Sequence, residues 1–203
     1  MGSLKNIAVL ISGSGTVCHA INNSCNEGVL KDVAKVALVV ATTPGDHPFH
    51  ILGDRKPAYL YLPWEDSDRW HRVMYDLMEL LEIDLICLAG FIKKLQVWPE
   101  WKDKILNTHP SLLPKYGGKG MYGDEVHKAV LESGDEVTGC TVHVVNSEYD
   151  EGRILAQREM RISDIPNYKA VPSYILGNWV RQLEYELYPK AICDYLKEQY
   201  PKP

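Results

Sequence analysis

The sequence predicts an α/β fold: a doubly wound, mostly parallel Rossmann-like sheet with an antiparallel C-terminal extension and a C-terminal helix. Three observations predict it. Short continuous apolar runs alternate with helix-spaced segments as far as residue 109, the signature of strands buried on both faces and their crossover helices. A Gly-Ser-Gly turn joins the first apolar run to the first helix. Beyond Gly123 the alternation changes, and the last two strand-like segments read as a hairpin.

Ile7–Ile11 (IAVLI) is an unbroken apolar run bounded by turn residues, hence a doubly covered strand. After Ser12–Thr16, Val17–Glu27 reads as a helix. Val33–Ala41 is a second buried strand and Ala58–Leu62 a short third, separated by a loop over 42–57 rich in Pro, Gly and His. Trp70, Val73, Met74, Leu77 and Leu81 recur at helical spacing, which predicts an amphipathic helix over Asp68–Glu82. Leu85–Ala89 is a fourth strand, Val97–Lys102 a short helical stretch and Ile105–His109 a fifth strand. Ser111–Gly123, with Pro114 and four glycines, is a long loop. Glu125–Ser133 is a helix, Cys140–Val145 and Arg153–Ile162 form the hairpin, and Trp179, Val180, Leu183 and Leu187 mark the last helix. No internal repeat appears, so residues 1–203 are expected to form one domain.

Composition narrows the function classes. With 45% hydrophobic residues, 203 residues suffice for one well-packed core. A net charge of -5 gives no basic face for a nucleic-acid backbone, although a pocket for one phosphate stays compatible with it. The five cysteines (Cys18, Cys25, Cys87, Cys140 and Cys193) are odd in number and form no C-x-x-C pair. They read as reduced thiols of a cytoplasmic protein. The first apolar run is too short for a signal peptide or a membrane span, so no membrane partner is expected.

Two segments carry candidate chemistry. Gly13-Ser14-Gly15-Thr16 lies between a strand and a helix, where free amides and the helix dipole favour an anion. Cys18 stands where a dinucleotide-binding loop has its third glycine, and no acidic residue ends the second strand. From these residues alone an unliganded tight turn is an equal reading. Asn107 and His109 are two apart at the end of the fifth strand, so their side chains point the same way, toward the ligand crevice of such a sheet. An amide beside an imidazole suits acyl transfer, because both can donate to an oxygen that gains charge. A His hydrogen-bonded into a loop is the competing reading, equally weighted at this point.

NTHPSLLPKYGG at Asn107–Gly118, preceded by LAGF at Leu88–Phe91 and followed by VHVVNSEYDEGRIL at Val142–Leu155, closely resembles the folate-dependent formyltransferases. IAVLISGSGT at Ile7–Thr16 and LEYELYP at Leu183–Pro189 match the same family, so the resemblance spans nearly the whole chain. GGKGMYG at Gly117–Gly123 is similar to the glycinamide ribonucleotide branch, which serves purine biosynthesis.

The resemblance implies transfer of formyl from 10-formyltetrahydrofolate to the amine of glycinamide ribonucleotide. Its hydrolase and amino-sugar N-formyltransferase relatives are the alternatives. Asn107 would orient the formyl group and donate to its oxyanion. His109 would stabilise that oxyanion and move a proton, and Asp150 would hold His109 in its charged form. Gly13, Ser14, Gly15, Thr16 and Val17 match the loop for the ribonucleotide phosphate. Gly90, Pro110, Gly117 and Gly118 would line the substrate path, and Glu184 matches a glutamate that contacts the ribose hydroxyls. The backbone of Ile92, Lys93, Lys94 and Leu95 would hold the pteridine, with the loop from Val145 to Asp150 opposite. The resemblance divides the chain at about residue 110 into a nucleotide-binding half and a folate and catalytic half, and implies a monomer or weak homodimer without a metal.

Departures are specific. Val17 stands where the family has Asn, and Arg181 replaces a Gln one turn before Glu184. The stretch after the second strand is short and lacks the usual arginine for the folate tail, leaving Arg69 as the nearest candidate. His143 is read as either a supporting residue or a core histidine, and His127 as exposed or packed on a helix. His47 and His50 have metal-pair spacing but no third ligand nearby, so metal binding is not expected. The pairs Trp98/Trp101 and Tyr185/Tyr188 are assigned to the core.

Overall fold

The computed structural model describes residues 3–44 and 56–201. His47 and His50 lie outside the described residues. Seven strands form one sheet in the order β3-β2-β1-β4-β5-β6-β7. These are β1 (Lys5–Ile11), β2 (Ala34–Ala41), β3 (Ala58–Tyr61), β4 (Leu85–Leu88), β5 (Ile105–His109), β6 (Val137–Val144) and β7 (Ile154–Arg161). β1 to β5 pair in parallel, and β6 and β7 add antiparallel strands beside β5, as the sequence predicts. Among the described residues the α-helices are α1 (Thr16–Glu27), α2 (Ser67–Leu80), α3 (Asp124–Ser133) and α4 (Ser173–Gln199); α1, α2 and α4 pack on the sheet, and α3 packs on α4.

The unbroken apolar runs are explained by cover on both faces. Ile7, Val9 and Ile11 of β1 join a core with α1 and α4, while Ala8 and Leu10 join another with Trp70, Met74 and Met78 of α2. In β2 an extra residue bulges opposite the Ile7–Ala8 step. It lets Val36 and Val39 face the first core and Leu38 and Val40 the second. Tyr188 and Trp101 are fully packed, as expected, and Trp98 and Tyr185 are half-buried beside them.

Three boundaries differ from expectation for physical reasons. Val97–Lys102 contains only a 3-10 turn, Pro99–Trp101. β6 begins at Val137, ahead of the alternating stretch, because Gly139 admits β7: a Cβ there would lie 2.0 Å from the Arg158 carbonyl oxygen. α4 runs straight through Pro189 to Gln199. A mid-helix proline costs about 3 kcal/mol. Tyr188, Ile192, Cys193, Tyr195 and Leu196 are all buried on either side of it, and the Tyr188 hydroxyl donates to the Leu106 carbonyl (2.8 Å). That burial outweighs the missing backbone bond.

The chain winds outward from β1 through β2 to β3, then returns to β4 on the other side of β1. This reversal opens a crevice at the carboxyl ends of β1 and β4, with β5 beside it. Among the described residues no helix is long and apolar enough to cross a membrane.

Candidate active site

A cavity of about 770 Å³ occupies that crevice, a volume typical of small-molecule sites. The turn Ser12–Val17 leaves β1 on one side and the segment Gly90–Leu95 leaves β4 on another. Asn107, Thr108, His109 and Pro110 line it from β5, the loop 145–150 from β6, and α3 and α4 close the remaining side with His127, Arg181 and Glu184.

The glycine turn presents free amides. Gly15 takes a left-handed conformation (φ 74°) at the cap of α1, with no side-chain cap. The first helical hydrogen bond is that of the His19 amide to the Gly15 carbonyl (2.9 Å). The amides of Thr16 and Val17 therefore precede the helical ladder, a donor set suited to an anion.

On β5, Asn107 and His109 do point the same way. Asn107 Nδ2 lies 3.1 Å from His143 Nε2. His143 Nδ1 lies 3.1 Å from the Val144 carbonyl, which can only accept, so Nδ1 bears the proton and Nε2 accepts from the Asn107 amide. The amide keeps a second N–H for a ligand oxygen. His143 is thus the supporting residue of its two sequence readings. His109 is buried, and its Nε2–H donates to the Tyr116 carbonyl (2.8 Å). Its Nδ1 faces Asp150 Oδ2 at 3.5 Å, too far for a close hydrogen bond and an ion pair only when the ring is protonated.

Asp150 reaches this strand because its loop turns sharply. It holds a left-handed backbone (φ 59°), which Asp tolerates better than most residues. Gly152 then passes against β6, where a Cβ would fall 1.6 Å from the Val144 carbonyl oxygen. The Asp150 carboxylate accepts from the Gly118 amide (2.9 Å) and lies 3.6 Å from His143 Nε2. Burial opposes its charge, but the His143 and His109 imidazoles, whose protonated forms it favours, and the donating Gly118 amide hold its carboxyl below the usual range.

For His109 the balance runs the other way. Burial lowers the imidazole pKa, and Asp150 only partly restores it. The expectation of a standing imidazolium is corrected: desolvation of a buried ring outweighs one carboxylate at 3.5 Å. The neutral ring can take up a proton during a reaction.

Thr108 points to the opposite face of β5 and donates to Glu184 Oε1 (2.9 Å). Burial raises the Glu184 carboxyl to about 7, against the Thr108 bond and the nearby Arg181 charge. His127 is buried against Gly177, where a Cβ would lie 2.7 Å from its Cδ2, and burial pushes the imidazole down to about 4. It is packed, the second of its two predicted readings, and it lines the cavity.

A family model described as formyl transferase matches residues 5–192. The chain belongs to the formyl transferase family. It is 34% identical to a phosphoribosylglycinamide formyltransferase of Haemophilus influenzae, over 93% of this chain and 86% of that protein. It is 36% identical to a phosphoribosylglycinamide formyltransferase, chloroplastic, of Arabidopsis thaliana, over 94% of this chain but only 66% of that longer protein. A crystal structure of glycinamide ribonucleotide transformylase 1 from Symbiobacterium toebii superposes with a TM-score of 0.83 at 28% identity, covering 98% of this chain and 90% of that one.

At the cavity, the residues expected from sequence mostly meet. Gly13 to Val17, Gly90, Ile92 to Leu95, Asn107, His109, Pro110, Gly118, Val145, Asp150 and Glu184 all line the cavity. Two do not. Gly117 lies beneath the site, where a Cβ would meet Leu113 Cδ2 at 2.5 Å and Asp150 Cβ at 3.2 Å, so it admits the Asp150 loop rather than substrate. Arg69 is exposed on α2, its amide bonded to the capping Asp66, and does not line the cavity. Sequence reasoning did not find the Thr108–Glu184 link or the α3–α4 wall of Tyr122, Asp124, Tyr174 and Asn178. Their only sequence signal was nearness to Gly123 or Glu184.

Proposed function

We propose that the protein transfers the formyl group of 10-formyltetrahydrofolate to the primary amine of glycinamide ribonucleotide, an acceptor in keeping with relatives named phosphoribosylglycinamide formyltransferase. The carrying observation is the position of Asn107, His109 and Asp150 at the middle of a cavity whose ends are an amide-rich glycine turn and an irregular segment after β4. The first end suits the ribonucleotide phosphate and the second the flat edge of the pteridine. The amine attacks the formyl carbon, and the carbonyl oxygen becomes an oxyanion that the free Asn107 N–H can meet. The amine gives up a proton to His109 or Asp150, the bond from carbon to folate N10 breaks, and N10 gains a proton as tetrahydrofolate departs. The test is release of tetrahydrofolate with and without the ribonucleotide amine. Release dependent on that amine supports the assignment, release without any amine indicates the hydrolase, and release only with an amino sugar nucleotide indicates that relative.

Glu184 is assigned to the ribose hydroxyls. Its native carboxyl binds a proton more tightly than in the unfolded chain, so its contribution to stability is complete at low pH and lost as pH rises from the ordinary 4.5 through about 7. Glu184→Gln is expected to melt higher relative to wild type at pH ~8 than at pH ~5. It should also raise the acceptor KM by about tenfold or more, the worth of one hydrogen bond to a charged group. Thermal melts at both pH values and acceptor titrations check the two halves separately.

Val17→Asn is expected to tighten acceptor binding, since the added amide can donate to the phosphate at the head of α1. Val17 is buried within the α1 core, so the same change should lower the melting temperature. Calorimetry that finds unchanged or weaker affinity would show that backbone amides and Arg181 already meet the phosphate's needs.

A further inference from the structure

The segment Phe91–Gln96 has no regular secondary structure, yet side chains hold it at both ends. The Ile92 amide donates to Ser12 Oγ (3.3 Å), which is itself paired with Thr42 Oγ1 (2.7 Å). The Gln96 amide donates to His71 Nε2 (2.8 Å). His71 lies on α2, and its Nδ1 is 2.6 Å from the Ser67 carbonyl. A carbonyl only accepts, so Nδ1 bears the proton and Nε2 is left with the lone pair that Gln96 needs. The ring is 3% exposed and stands edge-on to Trp64, Trp70 and Trp98, with centroids 5.2, 5.4 and 5.7 Å away. Tautomer and orientation are both fixed. Between the two pins, the amides of Lys93, Lys94 and Leu95 make no hydrogen bond to other described residues, and all three residues line the cavity.

We infer that His71 is a positioning residue for the formyl donor. By accepting from Gln96 it holds the segment in one conformation before binding, so that free backbone groups already lie at the donor's end of the cavity. Without this pin, the cost of ordering the segment falls on the binding step. The inference rests on the folate reading above. It goes beyond the family resemblance, which points to the segment and not to the α2 residue behind it.

The test compares His71→Leu, which keeps bulk and removes the acceptor, with His71→Gln, whose amide oxygen has the reach to accept from Gln96. Donor KM, acceptor KM and kcat are measured beside calorimetric binding of tetrahydrofolate. His71→Leu should raise donor KM and weaken tetrahydrofolate binding by about tenfold. Its kcat and acceptor KM should stay within about twofold, and His71→Gln should recover most of the loss. Unchanged donor binding in His71→Leu overturns the inference. So does His71→Gln behaving no better than Leu, or an equal rise in both KM values, since each marks His71 as packing alone. Wild-type protein that binds no folate overturns the functional reading and the inference with it. Wild-type binding that the variants share overturns only the role of His71.

Discussion

His109→Ala lowers turnover by ~100- to 1000-fold, the usual cost of removing a group that meets the developing charge of an acyl-transfer intermediate. Binding of tetrahydrofolate stays within several-fold of wild type, because the end of the cavity proposed for the donor, lined by Gly90–Leu95 and 145–150, does not include the ring. The geometry makes the ring a poor candidate for a merely structural role. One nitrogen is committed to the Tyr116 carbonyl, and the other is aimed at Asp150 beside the cavity. Since burial lowers the imidazole pKa, the ring is neutral at pH 7 and turnover should fall on the acid side only below its ordinary value of 6.5. Turnover of His109→Ala within about threefold of wild type would remove it from the catalytic set.

The sheet was legible because parallel strands covered on both faces leave an apolar record that needs no partner to interpret, as Ile7–Ile11 and Leu85–Leu88 do. The candidate positions were legible for a related reason: a polar Asn107 and His109 interrupt an apolar strand at its carboxyl end, the side of the sheet on which the cavity opens. What failed to show depended on contacts between distant segments. Nothing local tells that Pro189 lies within a helix, since the compensating burial comes from the sheet and α1. Gly139 reads as a strand breaker until β7 is laid against it. Arg69 was placed by sequence nearness to a short loop, whereas α2 turns its side chain to solvent. The charge state of His109 is not legible in the sequence, because a motif shows the carboxylate partner and not the depth of burial that outweighs it.

Asp150→Asn retains binding of both substrates and loses most of its turnover. The substitution is close to a pure change of charge. Asn is as much at ease as Asp at φ 59°, so the turn before Gly152 is not strained by it. An amide oxygen can still accept from the Gly118 amide, as the carboxylate does at 2.9 Å. A residue that only shaped this turn would therefore tolerate Asn with near-normal activity. The native carboxyl is kept below its usual range by its surroundings: the His143 and His109 imidazoles, whose protonated forms it favours, and the Gly118 amide that donates to it. Such a cluster would have no reason to keep a negative charge in a nearly buried place for the turn alone. The charge raises the His109 pKa against burial, so its removal lets the imidazole pKa fall further and weakens the site's ability to take the amine's proton. An NMR titration of His109 run beside the turnover assay separates the two readings. Slow turnover with a lowered imidazole titration identifies Asp150 as the charge that makes His109 a base. Near-normal turnover with an unmoved titration leaves Asp150 a turn residue and returns the proton to His109 alone.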